Sequence, residues 1–165
     1  MKKLALMIGL AFSSTALGAS AQAGEKKLKQ ADVPKPVMTT LAAKYPGAKW
    51  KGFGTEEENG ATIYEAEFTQ GKNDVSVDVS VDGKILAEET VIAAADLPAP
   101  VKGGIDASKY KTWKRVKAEK VIEEEKTDAP KYEVMVENKG SKFELVLDKD
   151  GKIAKETAKG KKDKD

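Results

Sequence analysis

The 165-residue chain has no cysteine and no histidine. Those two absences remove most familiar site chemistry. A disulfide framework is impossible. So are thiolate nucleophiles, a Ser-His-Asp triad, and zinc or haem sites built on Cys or His. Arginine is nearly absent, Arg115 being the single one, and aromatics make up 6% of the residues. A nucleic-acid binder normally shows a basic patch with arginine and stacking aromatics, and this chain shows neither. Long apolar runs are missing as well. The run from Leu4 to Leu17 is shorter than the roughly 20 residues a membrane span requires. What remains is carboxylate, lysine and hydroxyl chemistry. A chain of this length can bury an ordinary core without cross-links.

The first residues read as an export signal. Lys2-Lys3 form a positive start, an apolar run follows, and Ala21-Gln22-Ala23 is a small-x-small cleavage site. Cleavage is expected after Ala23, giving a periplasmic or secreted protein with no membrane span in its mature form. No cysteine stands near the cut, so no lipid anchor is expected. With Lys2 and Lys3 set aside, 27 bases balance 27 acids, but unevenly. Residues 31–94 carry 11 acids and 6 bases, net −5, whereas residues 95–158 carry 13 acids and 14 bases, net +1.

What is present is alternation and repetition. From Asp74 to Asp82, valines at 75, 77, 79 and 81 alternate with Asp or Ser. Period two marks a strand with one dry and one wet face. Asp82-Gly83 then supplies the positive-φ pair of a tight hairpin. Ala31-Asp-Val-Pro-Lys-Pro-Val37 returns as Ala95-Asp-Leu-Pro-Ala-Pro-Val101. The repeat continues through Lys44-Tyr45 and Lys109-Tyr110, then Trp50 and Trp113. Tyr64–Phe68 matches Tyr132–Val136, and Asp82-Gly-Lys-Ile85 matches Asp150-Gly-Lys-Ile153. Glu89-Thr90 pairs with Glu156-Thr157.

Each unit is expected to open with a helix capped by Asp32 or Asp96, with proline in its first turn. Val37, Leu41 and Tyr45 form one stripe of the first helix, which Pro46-Gly47 ends. Gly103-Gly104 makes the second helix poorer, so it should be short, bent or broken. Four strands follow in each unit. The fold class is α+β: two tandem units, each a helix packed on a four-stranded antiparallel sheet. The organisation is a signal peptide at 1–23, a flexible lead-in at 24–30, and units at 31–94 and 95–158. A disordered charged tail follows at 159–165. The acid-rich face of at least one sheet should be wet.

The residues resemble a known family. Val37-x3-Leu41-Ala-Ala-Lys-Tyr-Pro-Gly-Ala48, then Ile63-Tyr-Glu-Ala-Glu-Phe68, then Val79-Ser-Val-Asp-Gly-Lys-Ile-Leu86 are similar to the PepSY-like, beta-lactamase-inhibitor-like exported domains. Two copies cover the chain from Ala31 onward. The second departs from the pattern, with Tyr110-Lys-Thr-Trp113 in place of the Tyr-Pro-Gly-Ala helix exit. The resemblance implies a non-catalytic periplasmic module of a kind proposed to restrain secreted peptidases or other envelope enzymes. The related inhibitor covers its target with a sheet surface and a protruding loop. None of its binding residues maps to a motif here.

Several residues invite sharper readings. Asp78, Ser80, Asp82 and Glu89, with Gly83 and Ile85 between, fit the spacing of an EF-hand loop. On an extended strand Asp78 and Asp82 stand about 13 Å apart, too far for one Ca²⁺ to bridge. The second copy keeps Asp148, Asp150 and Gly151 but has Val146 and Thr157 at the outer ligand positions. The hairpin recurs and the metal pattern does not, so no metal and no cofactor is assigned. Glu56–Glu58 and Glu123–Glu125 read as solvated hairpin loops rather than acid–base pairs, and the recurring Trp50, Trp113, Tyr64 and Tyr132 read as core. The chain is therefore read as no enzyme. The expected partner is another exported or envelope protein, met through Glu65, Glu67, Asp74 and Asp78. The alternative is an envelope cation- or ligand-binding protein using the same acidic face.

Overall fold

The computed structural model describes residues 26–159 apart from Asn59. The expected leader, the first residues of the lead-in and the tail beyond Lys159 lie outside them. Nine strands pair antiparallel in chain order as one sheet. They are β1 Lys26–Leu28, β2 Lys49–Glu58, β3 Ala61–Gln70, β4 Asn73–Ser80 and β5 Ile85–Ile92, then β6 Lys114–Glu123, β7 Lys131–Asn138, β8 Ser141–Asp148 and β9 Ile153–Lys159. Helix α1 spans Lys35–Lys44 and α2 spans Ala99–Asp106. The α+β class holds, as an antiparallel sheet with two helices.

No seam divides the sheet into two four-stranded halves. β5 pairs with β4 on one side, and its Glu89 and Val91 face Val121 and Glu119 of β6 on the other. β1 holds the same place before α1 that β5 holds before α2, since each pairs with the strand that follows the helix. Lys26–Leu28, expected to be mobile, are thus ordered by pairing with β2 and by Leu28 packing on the first core.

Both helices begin later than expected. Asp32 and Asp96 lie in three-residue 3-10 turns, and neither caps a helix. Pro34 and Pro98 hold the cap positions without any side-chain hydrogen bond. A residue before proline is disfavoured in the α region, so Val33 and Leu97 stay extended and the helix cannot run back to the aspartate. Glu56–Glu58, expected in a loop, continue β2 to its end. Glu124 and Glu125 do stand in a turn, both at positive φ.

The alternation explains the layers. Val37 and Leu41 of α1, with Tyr45 at its exit, pack on Phe68, Val75, Val77 and Val79. Val101 and Ile105 of α2 pack on Val134, Val136, Leu145 and Leu147. Both helices therefore cover the same face of the sheet. Bulges recur at equivalent places, Trp50/Gly52 with Arg115/Lys117 and Asp78/Val79 with Val146/Leu147. Bulges bend the strands that carry them. They also correct the repeat by one residue. Val77 faces Glu88 as Leu145 faces Glu156, and Ser76 faces Glu89 as Glu144 faces Thr157. Glu88 is therefore the counterpart of Glu156. The Tyr45 hydroxyl donates to Glu88 at 2.5 Å and the Tyr110 hydroxyl to Glu156 at 3.0 Å. Glu89 has a threonine in its place in the second unit.

The Asp-Gly turns dock on the helices, and the two units do this differently. In the first, Thr40 Oγ1 donates to the Gly83 carbonyl at 2.8 Å. In the second, the residue at that helical position is Gly104, and a Cβ there would lie 1.9 Å from the Gly151 carbonyl oxygen. The glycine that weakens α2 as a helix lets it approach the turn. Thr40→Val removes the hydroxyl at nearly constant shape and should cost about 1 kcal/mol in denaturant unfolding.

Candidate functional site

The face opposite the helices carries the polar half of every alternating strand. Register places Glu65 opposite Asp78, Glu67 opposite Ser76 and Thr69 opposite Asp74. Ser76 then faces Glu89, and Glu119 of β6 faces Glu133 of β7. Met135 faces Glu144, which faces Thr157 of β9. One belt of carboxylates thus runs from β3 to β8, through the strand where the units join.

This belt was expected to be wet, and most of it is not. Glu65, Ser76, Asp78, Glu89, Glu119, Glu133 and Glu144 are all buried. No helix among the described residues covers this face, so these side chains are buried without a helix over them. Glu65, Glu119 and Glu144, three of the six buried acids among the described residues, are each met by a donor. Ser76 Oγ donates to Glu65 at 2.6 Å. Lys117 pairs with Glu119 at 2.7 Å and Lys159 with Glu144 at 2.8 Å. At the open end, Asp74 is exposed and pairs with Lys51.

Glu89 differs. It is 3% exposed, and its two carboxylate oxygens accept no hydrogen bond from any described residue. Burial, then the nearby Glu133, Asp78 and Glu119, push its carboxyl up to about 9, against a smaller pull from Lys117. Glu133 is pushed up to about 7, by burial and then by Glu144 and Glu119, with Lys159 and Lys117 opposing. At neutral pH Glu89 therefore holds its proton. Beside it opens a pocket of about 40 Å³, walled by Glu67, Asp74, Ser76, Glu119 and Lys51.

The structure gathers Glu65, Glu67, Asp74, Asp78 and Glu89 on one face, Glu65 and Asp78 buried, Glu67 half-buried and Asp74 exposed. It does not gather Asp82 with them. Asp82 sits exposed at the hairpin tip, where Ser80 Oγ donates to it at 2.5 Å. Ser80 is committed to the turn, its Oγ also accepting the Lys84 amide at 3.1 Å. The loop spacing is thus spread over a strand, a turn and the next strand. Among the described residues no group of three or more acidic side chains is arranged to hold a metal ion. Sequence reasoning did not place Glu119, Glu133 and Glu144 beside the first unit's acids. Their alternation was readable, but the β5–β6 pairing that joins the two belts was not.

No helix among the described residues is long and apolar enough to cross a membrane. The chain matches the family described as "Putative beta-lactamase-inhibitor-like, PepSY-like" over residues 12–87 and again over 62–155, two overlapping regions consistent with tandem copies. No curated protein matches it. Among solved structures, it is similar to a "putative periplasmic" protein from Bacteroides eggerthii, with TM-score 0.66 and 19% identity over 76% of this chain and 88% of that one. A DUF2874 family protein from Bacteroides uniformis gives TM-score 0.65 and 20% identity, over 76% of this chain and 88% of that one. A BLIP-like protein from Bacteroides fragilis gives 0.61 and 21%, over 79% and 92%. At such identities the likeness carries the fold alone. The family match extends over most of the sequence and agrees with the repeat seen in both strand register and bulges. This chain belongs to the PepSY-like, beta-lactamase-inhibitor-like family.

Proposed function

We propose that the protein is a non-catalytic module of the periplasm, exported by cleavage after Ala23, that docks on another exported protein such as a peptidase and occludes it. In this reading residues 31–94 and 95–158 are two copies of one unit, a helix over four strands, fused edge to edge. The observation that carries the proposal is the polar sheet face. Both helices pack on the other side, and no helix among the described residues covers this face. Its walls at Glu67 and Asp74 are acidic, which suits a basic partner surface. Residues that would bind by shape and charge are present. The chain has no His or Cys to supply an imidazole base or a thiolate nucleophile.

The test is affinity capture from envelope extract of the producing cell, followed by inhibition assays on the captured protein. Retention of one stoichiometric partner at about 150 mM salt is expected, where exposed charges act over roughly 8 Å. Asp74→Lys, at an exposed position, should weaken capture several-fold and leave the melting temperature near that of the parent. No retained partner and no inhibited envelope enzyme would sink the proposal.

A further inference from the structure

We infer that the pocket at Glu89 receives one cationic side chain, a lysine or an arginine, from the docked protein. The inference rests on the docking reading and names the chemistry at its centre. Its first support is the pair of Glu89 oxygens that accept no hydrogen bond from any described residue. Buried polar side chains are almost always hydrogen-bonded, and an exception in a native fold calls for an account. Around Glu89, Ser76 serves Glu65, Lys117 serves Glu119, and Lys51 serves Asp74. The oxygens of Glu89 stay open beside a pocket that it helps to line.

The second support is the charge and size of that pocket. Groups facing Glu89 come from every neighbouring strand: Lys51 from β2, Glu65 and Glu67 from β3, Ser76 and Asp78 from β4, Lys117 and Glu119 from β6, and Glu133 from β7. Acids outnumber bases among them, and both lysines are engaged with carboxylates. A volume of about 40 Å³ admits an ammonium or guanidinium tip with part of its stem, and is too small for a larger organic ligand. Exposed Asp74 is part of the lining, and Val91 offers apolar wall for a methylene stem. A carboxylate meets guanidinium with two parallel hydrogen bonds and meets ammonium with one or two. A metal ion is the poorer occupant, because no three acidic groups are gathered for it among the described residues.

The exchange balances in charge. Empty, the pocket keeps the Glu89 proton. When the cationic tip enters, Glu89 releases that proton to solvent and accepts the incoming N–H groups. One positive charge replaces another, and no covalent bond forms or breaks beyond the O–H.

Calorimetry on the exported protein tests this, with blocked lysine amide, blocked arginine amide and calcium chloride as three separate probes. Titrations are run at several pH values, each in HEPES and in Tris, which differ in ionisation enthalpy. Expected is saturable heat with at least one amide, release of about one proton per site, and affinity rising about tenfold per pH unit below the Glu89 titration. Glu89→Gln should abolish the heat without lowering the melting temperature. Three results overturn the inference: no saturation by about 10 mM of either amide, binding unchanged in Glu89→Gln, or Glu89-dependent binding of calcium with none of the amides. Failure of docking alone looks different. The amides then bind and release the proton, yet no protein is captured from extract.

Discussion

Gly104→Ala destabilises the protein by about 2–3 kcal/mol, while Gly103→Ala, one residue earlier, stabilises it by up to about 1 kcal/mol. Alanine is the better helix former at both positions, so propensity alone predicts two gains. Space decides otherwise. A Cβ at Gly103 meets nothing within 4 Å, whereas one at Gly104 lies 1.9 Å from the Gly151 carbonyl oxygen and 2.8 Å from its carbonyl carbon. Backbone cannot swing aside as a flexible side chain does. Helix α2 must lift from the turn, and Val101 and Ile105, both fully buried, must lift with it. Gly151→Ala is expected to be at least as harmful, since its φ is +86° and a Cβ would fall 2.1 Å from the Pro100 carbonyl oxygen. Gly83→Ala, with its nearest contact at 2.8 Å, should cost less. Thermal and denaturant unfolding of the four variants checks the order. A neutral or stabilising Gly104→Ala would show that the helix and the turn are not in contact.

Acidification from pH 9 to pH 5 stabilises the protein, and Glu89→Gln removes most of that dependence. Glu89 titrates near 9 when folded, against an ordinary value of 4.5. Between those values the folded state holds a proton that the unfolded state has lost. Stability is therefore full below about pH 4.5, falls as pH rises, and levels off above about 9. At about 1.4 kcal/mol per unit, the loss is on the order of 3 kcal/mol by pH 7 and grows further by pH 9. Glu133 adds a loss of the same sign between 4.5 and about 7. Exposed acids oppose this only at the acidic end. Asp82 is lowered by its Ser80 hydrogen bond, and Glu125 by its hydrogen bond from Lys44. Their contribution is present above the ordinary carboxylate range and fades below it. Stability should thus peak near pH 5. At pH 8, Glu89→Gln should exceed the parent by roughly 2–4 kcal/mol, after allowance for a buried amide with open donors. At pH 5 the variant should equal the parent or fall below it by up to about 2 kcal/mol. Parallel unfolding curves across this range would remove Glu89 as the source.

Much of the fold could be read from periodicity. The strand from Asn73 to Ser80 and its mate from Ser141 to Asp148 follow the Val/polar and Phe/Leu alternation, and both Asp-Gly turns fall where expected. The pairing of β5 with β6 could not be read. It joins strands separated by a helix, and nothing in Ala87–Val91 names its second neighbour. That pairing is also what makes the acidic belt continuous. The burial of Glu89 was hidden for a related reason. Glu88 and Glu89 are adjacent carboxylates, but alternation sends one to the Tyr45 hydroxyl on the helix face and the other into the belt. Matching Glu89 with Glu156 obscured this further, because the true counterpart, Thr157, carries no charge. The glycine pair of α2 was legible as a weakness and not as a contact, since the close approach depends on a turn almost fifty residues away in sequence.

The most direct test is the side-chain carboxyl of Glu89, followed by carbon NMR on glutamate-labelled protein as pH is raised, with Glu89→Gln identifying the signal. The account predicts a titration midpoint near 9, far from that of an ordinary glutamate. A midpoint near 4.5 would mean that Glu89 is solvated or paired, and would contradict its place as a buried carboxyl that accepts no hydrogen bond from the described residues.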